Sequence, residues 1–311
     1  MRKIEVVPYD TSWPKMFEQE SILIKSALGE NCVDIHHIGS TSVPGLCAKP
    51  VIDMIPVVKD ITLVDSVNEK MRAIGYEPQG EFGIPFRRYF QKGGDNRTHH
   101  VHVFEEGSSE IARHLAFRDW MRSHPDDMKA YGELKQECAR QFAYDSLGYC
   151  NGKDAFIKKI DSLAYKDLSP RMMHVCLDYE WEEFHSLCVQ LFDGKSGVTY
   201  DRNYPSFSNS NFFHFVLYVG FEIVSAAQLE RLSSDDFVMR FLITKPTERQ
   251  KGYGVAFVKL LEKWMRQQGA KRVKLHSSRT AEIFYRSLGY SDILFDDVSI
   301  DPLAVDLGKE L

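Results

Sequence analysis

The chain has no two cysteines at Cys-x-x-Cys spacing. Its six cysteines, at 32, 47, 138, 150, 176 and 188, are scattered, which reads most economically as free thiols in a reducing compartment. It has no run of about eighteen apolar residues of the kind that spans a bilayer. The opening MRKIEVVPYDTSW has no long apolar stretch of a signal peptide, so a cytoplasmic protein is expected. Positive charge is in deficit, with 39 Lys and Arg against 44 Asp and Glu for a formal net charge of −5. That balance, with no basic and aromatic-rich stripe, argues against a nucleic-acid or membrane-surface binder, because a polyanion repels an acidic partner. There is no internal repeat and no low-complexity tract. What remains is material for two ordinary soluble cores: 311 residues, 43% hydrophobic and 27% charged.

The most pointed stretch is Ile243–Gly254, ITKPTERQKGYG, followed later by Ala281–Tyr290, AEIFYRSLGY. The apolar run Phe237–Ile243 reads as a strand that breaks at Pro246 and gives way to Arg249-x-x-Gly252-x-Gly254. A 3.6-periodic segment, Val255–Met265, then reads as a helix. The first backbone N–H groups of a helix lack internal partners and carry roughly +0.5 charge between them. Glycines let a diphosphate approach that backbone, so the arrangement points to a diphosphate-bearing cofactor. Taken alone, Gly252 and Gly254 also fit a plain turn before a surface helix, and Tyr285 fits a core aromatic.

Arg249-x-x-Gly252-x-Gly254 resembles the pyrophosphate loop of the GNAT superfamily of acyl-CoA-dependent N-acetyltransferases. Ala281-x-x-x-Tyr285 with Leu288-Gly289-Tyr290 resembles that family's last motif. A helix and a strand at Arg272–His276 separate the two, and the likeness covers roughly 171–311. The resemblance implies acetyl-CoA as cofactor. Backbone groups of Leu242, Ile243 and Thr244 would pair with pantetheine and polarise the thioester carbonyl. The N–H groups from Gln250 through Lys251, Gly252, Tyr253 and Gly254 to Val255 would hold the pyrophosphate, with Arg249 and Lys251 adding charge. Tyr285 would protonate the departing thiolate, as a phenol can. The acceptor implied is an amine on a small molecule or a peptide.

Two positions depart from that family. Ser278 stands where many members have asparagine, and it still offers a hydrogen bond. Val273 stands where some place a glutamate base. Glu230, Asp235, Asp236 and His276 are candidate bases, and each also fits a solvated side chain.

The first half differs. Residues 34–58 read DIHHIGSTSVPGLCAKPVIDMIPVV, two short apolar strands around a small-residue loop that closes on Asp53. Gly39-Ser40 at a strand end with a carboxylate on the next strand is the local plan of nucleotidyltransferase sites. That plan uses two carboxylates on one strand face, and here Asp53 is followed by Met54 and Ile55. Residues 1–165 resemble the GrpB-like family, which is grouped with the nucleotidyltransferase fold and has no well-established activity. The likeness rests on His37-Ile-Gly-Ser-Thr-Ser-Val-Pro-Gly45, Ala48-Lys-Pro50, Asp53, Gly83-Ile-Pro85, Arg87-Arg88-Tyr-Phe90, His100-x-His102 and Phe117-Arg-Asp119.

Thr98–Glu105 alternates as a strand, so His100 and His102 share a face and His99 points away. With Asp53 they fit either a divalent metal site or a hydrogen-bonded polar cleft. Gly39, Ser40, Lys49, Arg87 and Arg88 fit a phosphate or nucleotide site, or the arginines merely neutralise Glu81 and Asp53.

Along the chain a helix is expected at Trp13–Ala27, announced by Thr11, Ser12 and Pro14. Strands near 32–38 and 50–58, a helix near 61–74, and strands near 86–92 and 98–105 follow. Helices are expected at 108–122, 125–145 and 152–165, then a polar linker at Lys166–Arg171 and a new pattern from Met172. A helix near 180–193 precedes the polar loop Gly194–Asn211, which reads as surface or substrate-facing. Strands at 212–219 and 222–230 make a hairpin. The fold expected is therefore α+β in two domains. The first, 1–165, is a nucleotidyltransferase-like mixed sheet with helices, and the second, 171–311, is a GNAT-type acyltransferase. The activity expected is acetyl transfer to an amine. Nucleotide or phosphate chemistry in the first half, with the second only binding CoA, is the other reading. The sequence leaves the oligomeric state open.

Overall fold

The computed structural model describes residues 3–192, 200–297, 299 and 301–311. Residues 193–199, which include the end of the helix expected near 180–193 and much of the polar loop from Gly194, lie outside the described residues, as do Met1 and Arg2 of the opening segment. The chain is α+β and forms two compact units, one of residues 1–82 and 86–167, the other of 83–85 and 168–311. Among the described residues no helix is long and apolar enough to cross a membrane.

The first unit runs α1 (Trp13–Leu28), β1 (Cys32–Ile38), β2 (Ile52–Val58), α2 (Asn68–Ala73), β3 (Tyr76–Pro78), β4 (Arg87–Lys92), β5 (His99–Glu105), α3 (Ser109–Ser123), α4 (Pro125–Gln141) and α5 (Ser146–Ala164). The strands form one mixed sheet in the order β1-β2-β5-β4-β3, with β2 and β5 parallel and the other pairs antiparallel. Helix α1 buries Trp13, Ile24, Ala27 and Leu28 against Ile52, Met54, Val58, Val101 and Val103. Because strand side chains alternate, Val101 and Val103 entering that core leave His100 and His102 on the opposite face, with Asp53 beside them. A second cluster joins Val43 and Leu46 of the β1–β2 connection to Met121, Tyr131 and Ile160 of the three late helices.

Three boundaries differ from expectation. The helix expected at 61–74 is a 3-10 segment, Ile61–Val67, followed by α2. Asp60 accepts from both the backbone and hydroxyl of Thr62, and Ser66 bonds back to Leu63, so side chains compete with regular helix there. The helix expected to 145 ends at Gln141, and the one expected from 152 begins at Ser146. The cause is Asp145, whose carboxylate accepts from the Gly148 N–H at 2.9 Å and caps α5.

The second unit runs β6 (Arg171–His174), α6 (Asp178–Phe192), β7 (Phe212–Val219), β8 (Glu222–Arg231), β9 (Asp236–Thr244), α7 (Tyr253–Gln267), β10 (Arg272–Ser277), α8 (Glu282–Ser287), β11 (Ser291–Asp292) and β12 (Val305–Glu310). Its sheet has the order β11-β12-β10-β9-β8-β7-β6, antiparallel except for β9 and β10. Helix α7 buries Phe257, Val258, Leu261, Trp264 and Met265, an i, i+1, i+4, i+7, i+8 stripe, and the Trp264 ring meets Phe213, Phe215 and Phe237. Helix α6 packs Phe184, Leu187 and Cys188 with Val216, Ala226 and Ile243. Glu180 caps its start by accepting from the Cys176 and Leu177 N–H groups. Strand β12 was not expected, since VDLGKE is polar and holds a glycine. A Cβ at Gly308 would lie 2.8 Å from Ile293, so the close approach there demands glycine.

Candidate functional sites

In the second unit the parallel ladder between β9 and β10 holds only from Arg272↔Asp236 to Lys274↔Val238. On its other side β9 stays paired with β8 as far as Ser225↔Thr244, with one irregularity beyond Gln228 that leaves Arg240 unpaired. From Met239 onward the β10-facing edge of β9, including Leu242, Ile243 and Thr244, has no ladder partner among the described residues. The sheet opens there as a wedge.

Helix α7 begins beside that wedge. Gln250 (φ 62°) and Gly252 (φ 85°) are both left-handed and fold the loop tightly, and Gly252 stands at the N-cap with no side-chain cap for the first N–H groups. A Cβ at Gly252 would meet nothing within 4 Å, so its conformation and not crowding calls for glycine. At Gly254 a Cβ would meet the Phe284 ring at 3.4 Å. Arg249 is exposed and donates to the Thr244 carbonyl at 3.2 Å, while Lys251 pairs with Glu248 at 2.9 Å. Tyr253 and Val255 are partly exposed in the first turn. Ser278 is exposed, with its hydroxyl 3.1 Å from that of Thr280. Tyr285 is buried, its hydroxyl 3.9 Å from the Met239 sulfur, and burial raises its pKa above the ordinary phenol value.

The four candidate bases separate. Asp235 bonds Lys271 at 2.8 Å, and Asp236 holds Arg272 at 2.7 and 3.0 Å, where the two strands are still paired. Glu230 pairs with Arg240, which also pairs with Asp297. His276 lies directly across from Asp306 in the β10–β12 register, with Nδ1 2.7 Å from that carboxylate. Its Nε2 is buried, has no hydrogen-bond partner among the described residues and lies 3.8 Å from Asp297.

Sequence reasoning missed an aromatic cluster under the described part of the polar loop. Trp181, His185, Tyr200, Phe207 and His214 pack ring against ring, the Tyr200 hydroxyl meets His185 at 2.5 Å, and Gln228 bonds His214 at 2.9 Å. Burial first, then His185 and His174, lower the His214 pKa to about 4, so its ring is neutral.

In the first unit Asp53 lies opposite Ile38 on one side and His100 on the other. Its Oδ1 is 3.0 Å from His100 Nδ1 and 3.8 Å from His102 Nε2. Burial opposes its charge, but these two histidines outweigh it and hold the carboxyl well below the usual range. Gly39, with φ 67°, turns beside it, and a Cβ there would sit 2.6 Å from Asp53 Oδ2. Ser40 follows in a 3-10 turn, Ser40–Ser42.

The metal expected at Asp53, His100 and His102 is not supported, although their candidate ligand atoms lie within 4.8 Å of one another. Arg87 Nη1 is 3.1 Å from His102 Nδ1. A guanidinium only donates, so Nδ1 carries the lone pair, and the neutral ring turns its Nε2–H toward Asp53. A ligating imidazole must instead turn a lone pair toward the ion. His100 likewise spends Nδ1–H on Asp53, and the cluster is a clasped carboxylate with a fixed positive charge behind it.

The side chains expected to meet a phosphate engage different partners. Arg88 holds Asp65 in a two-pronged bond at 2.7 and 2.7 Å with Glu81 at 4.0 Å, and Arg87 donates to the Glu81 and Phe82 carbonyls at 3.2 and 2.6 Å. Both arginines are buried and engaged. Lys49 instead meets the Tyr149 ring, 4.9 Å from its centroid.

Comparison with known proteins matches these two halves. A family model described as "GrpB protein" matches residues 3–162, and one described as "Acetyltransferase (GNAT) family" matches residues 176–290. UPF0157 protein YqkA of Bacillus subtilis (strain 168) is 47% identical over 163 residues, 52% of this chain and 48% of YqkA. The chain thus spans about half the length of that relative. Glutamate-rich protein GrpB of Alkalihalophilus pseudofirmus is 30% identical over 163 residues, 51% of this chain and 94% of that one. The crystal structure of conserved protein GrpB from Enterococcus faecalis superposes with a TM-score of 0.50 at 45% identity, covering 51% of this chain and 96% of that one. The chain therefore belongs to the GrpB family through its first unit, and a GNAT acetyltransferase domain follows it.

Proposed function

We propose that the second unit transfers an acetyl group from acetyl-CoA to an amine at the wedge between β9 and β10. One observation carries the reading. The ladder ends at Val238, and the Tyr285 hydroxyl reaches the very next residue, Met239. A proton donor thus stands where a thioester threaded into the wedge would expose its sulfur.

The residues divide the work. Uncapped N–H groups from Gln250 to Val255, at the positive end of α7, hold a pyrophosphate, and exposed Arg249 adds charge. Lys251 contributes less, being paired with Glu248. The unpaired edge at Leu242, Ile243 and Thr244 binds the pantetheine amides, and one N–H there faces the carbonyl oxygen as its negative charge grows. Bound acetyl-CoA supplies the activated acyl group. Tyr285 gives its proton to the sulfur as the C–S bond breaks, and burial keeps that hydroxyl protonated beforehand. His276 takes the proton from the attacking nitrogen. Asp306 fixes its Nδ1–H, which leaves Nε2 with the lone pair. A small-molecule or peptide amine is the acceptor.

The test is titration calorimetry of the full chain with acetyl-CoA, followed by thiol release against a panel of amines. Micromolar binding that disappears in Gly252→Glu supports the reading. Failure of the native chain to bind acetyl-CoA ends it.

A further inference from the structure

Lys49, Lys135 and Lys153 come from the loop before β2, the middle of α4 and the body of α5, yet they converge in the first unit. Lys153 Nζ lies 4.0 Å and Lys49 Nζ 4.9 Å from the centroid of one ring, Tyr149. Lys135 Nζ lies 4.7 Å from the Tyr131 centroid and donates to the Cys47 carbonyl. Lys135 is only 2% exposed. Helices α4 and α5 approach closely here, since a Cβ at Gly152 would meet the Cys138 sulfur at 2.8 Å.

Among the described residues none of the three ammonium groups is paired with a carboxylate. That is costly, because a buried ammonium without an anion loses its solvation, and cation–π contact returns only part of it. Burial is the main force on Lys135, with Lys153 and Lys49 adding repulsion, and its pKa falls to about 7. Burial, with repulsion from Lys49, lowers the Lys153 pKa to about 8. The other titratable groups acting on the two are Cys47, Cys138, Cys150 and, as the smallest contribution, Asp53. Three adjacent cations left without a counterion are chemically incomplete.

We propose that Lys49, Lys135 and Lys153 form a binding site for a phosphate chain. Lys49 and Lys153 are half-buried and stand at a rim with exposed Cys150 and Gly152, while Lys135 forms the floor. A linear polyphosphate, free or carried by a nucleotide, bears several negative oxygens and so can pair with more than one of the three ammonium groups, whereas a monocarboxylate satisfies one. Nothing in this site depends on the acetyl-transfer reading, which concerns the other unit.

The experiment is calorimetric titration of the full chain with inorganic triphosphate and, separately, with ATP, for the native protein, Lys135→Met and Lys153→Gln. The native chain binds triphosphate, and each substitution weakens it at least tenfold while acetyl-CoA binding is unchanged. Lys135→Met fills the same volume without charge, so its unliganded melting temperature stays level or rises. Lys153→Gln, at the rim, gives an independent answer if the floor substitution disturbs folding. Equal affinity for triphosphate and ATP assigns the site to the phosphate chain alone, and tighter ATP assigns it to a nucleotide. No binding of either, or binding that survives both substitutions, overturns the proposal.

Discussion

The hydroxyl of Tyr285 lies 3.9 Å from the sulfur of Met239, the first residue of β9 beyond its last pair with β10. That contact is weak for a hydroxyl, so Tyr285 gives up little by turning to another partner. Replacing it with phenylalanine should leave folding and acetyl-CoA affinity nearly unchanged. The turnover number should fall by roughly ten- to ten-thousand-fold. Steady-state thiol release checks this, and an unchanged rate removes the acid role from Tyr285.

Gly252 has a left-handed backbone and open surroundings, so two effects of substitution separate there. Gly252→Asn keeps a residue that tolerates this conformation and should retain acetyl-CoA binding within about tenfold. Gly252→Glu puts a carboxylate at the positive end of α7 and should abolish it. Equal affinity of the glutamate variant and the native chain would move the pyrophosphate elsewhere.

His276 and Asp306 are cross-strand partners. His276→Gln should lower kcat about a hundredfold, since an amide is no base. Asp306→Asn should lower the rate less, because the ring stays in place. Steady-state thiol release measures both, and a rate unmoved by either substitution would mean that the amine arrives already neutral and needs no base.

Asp53 is a carboxylate held below its usual pKa by His100 and His102. Its contribution to stability is therefore present above the ordinary carboxylate range and is lost as pH falls below it. Asp53→Asn should cost about 1.5–3 kcal/mol at neutral pH, the worth of hydrogen bonds to a charged group. Denaturant titration measures this. A chelator should leave the melting temperature where it was, and a drop on adding one would reinstate a metal at Asp53, His100 and His102.

Lys135 gives a trend of the same direction in a higher pH window. Its folded pKa, about 7, lies below the ordinary lysine value. Between pH 7 and the ordinary lysine range the unfolded chain binds the extra proton, so this group makes stability rise with pH. The melting temperature of the native chain should climb between about pH 7 and 9 relative to that of Lys135→Met. Parallel pH curves for the two would show that Lys135 is charged and neutralised in the folded protein.

Local features were legible because local forces make them. The run Phe237–Ile243, the break at Pro246, the glycine turn and the amphipathic helix follow one another within thirty residues, and periodicity alone places them. The alternation of Thr98–Glu105 likewise put His100 and His102 on one face. A local cap was overlooked at Asp145, whose carboxylate starts α5 six residues earlier than the apolar pattern suggests.

By itself, then, the sequence determined the two-part α+β organisation, the family of the first unit and the loop at the start of α7. These depend on residue type and short spacing. The tertiary structure decided where the β9–β10 ladder stops and that His276 faces Asp306 across β12. It also decided that Arg87 turns the proton of His102 toward Asp53, and that Lys49, Lys135 and Lys153 share two tyrosine rings. Each joins residues from separate elements, and strand register and helix packing bring such residues together through burial summed over the whole core. No short window of sequence carries that sum.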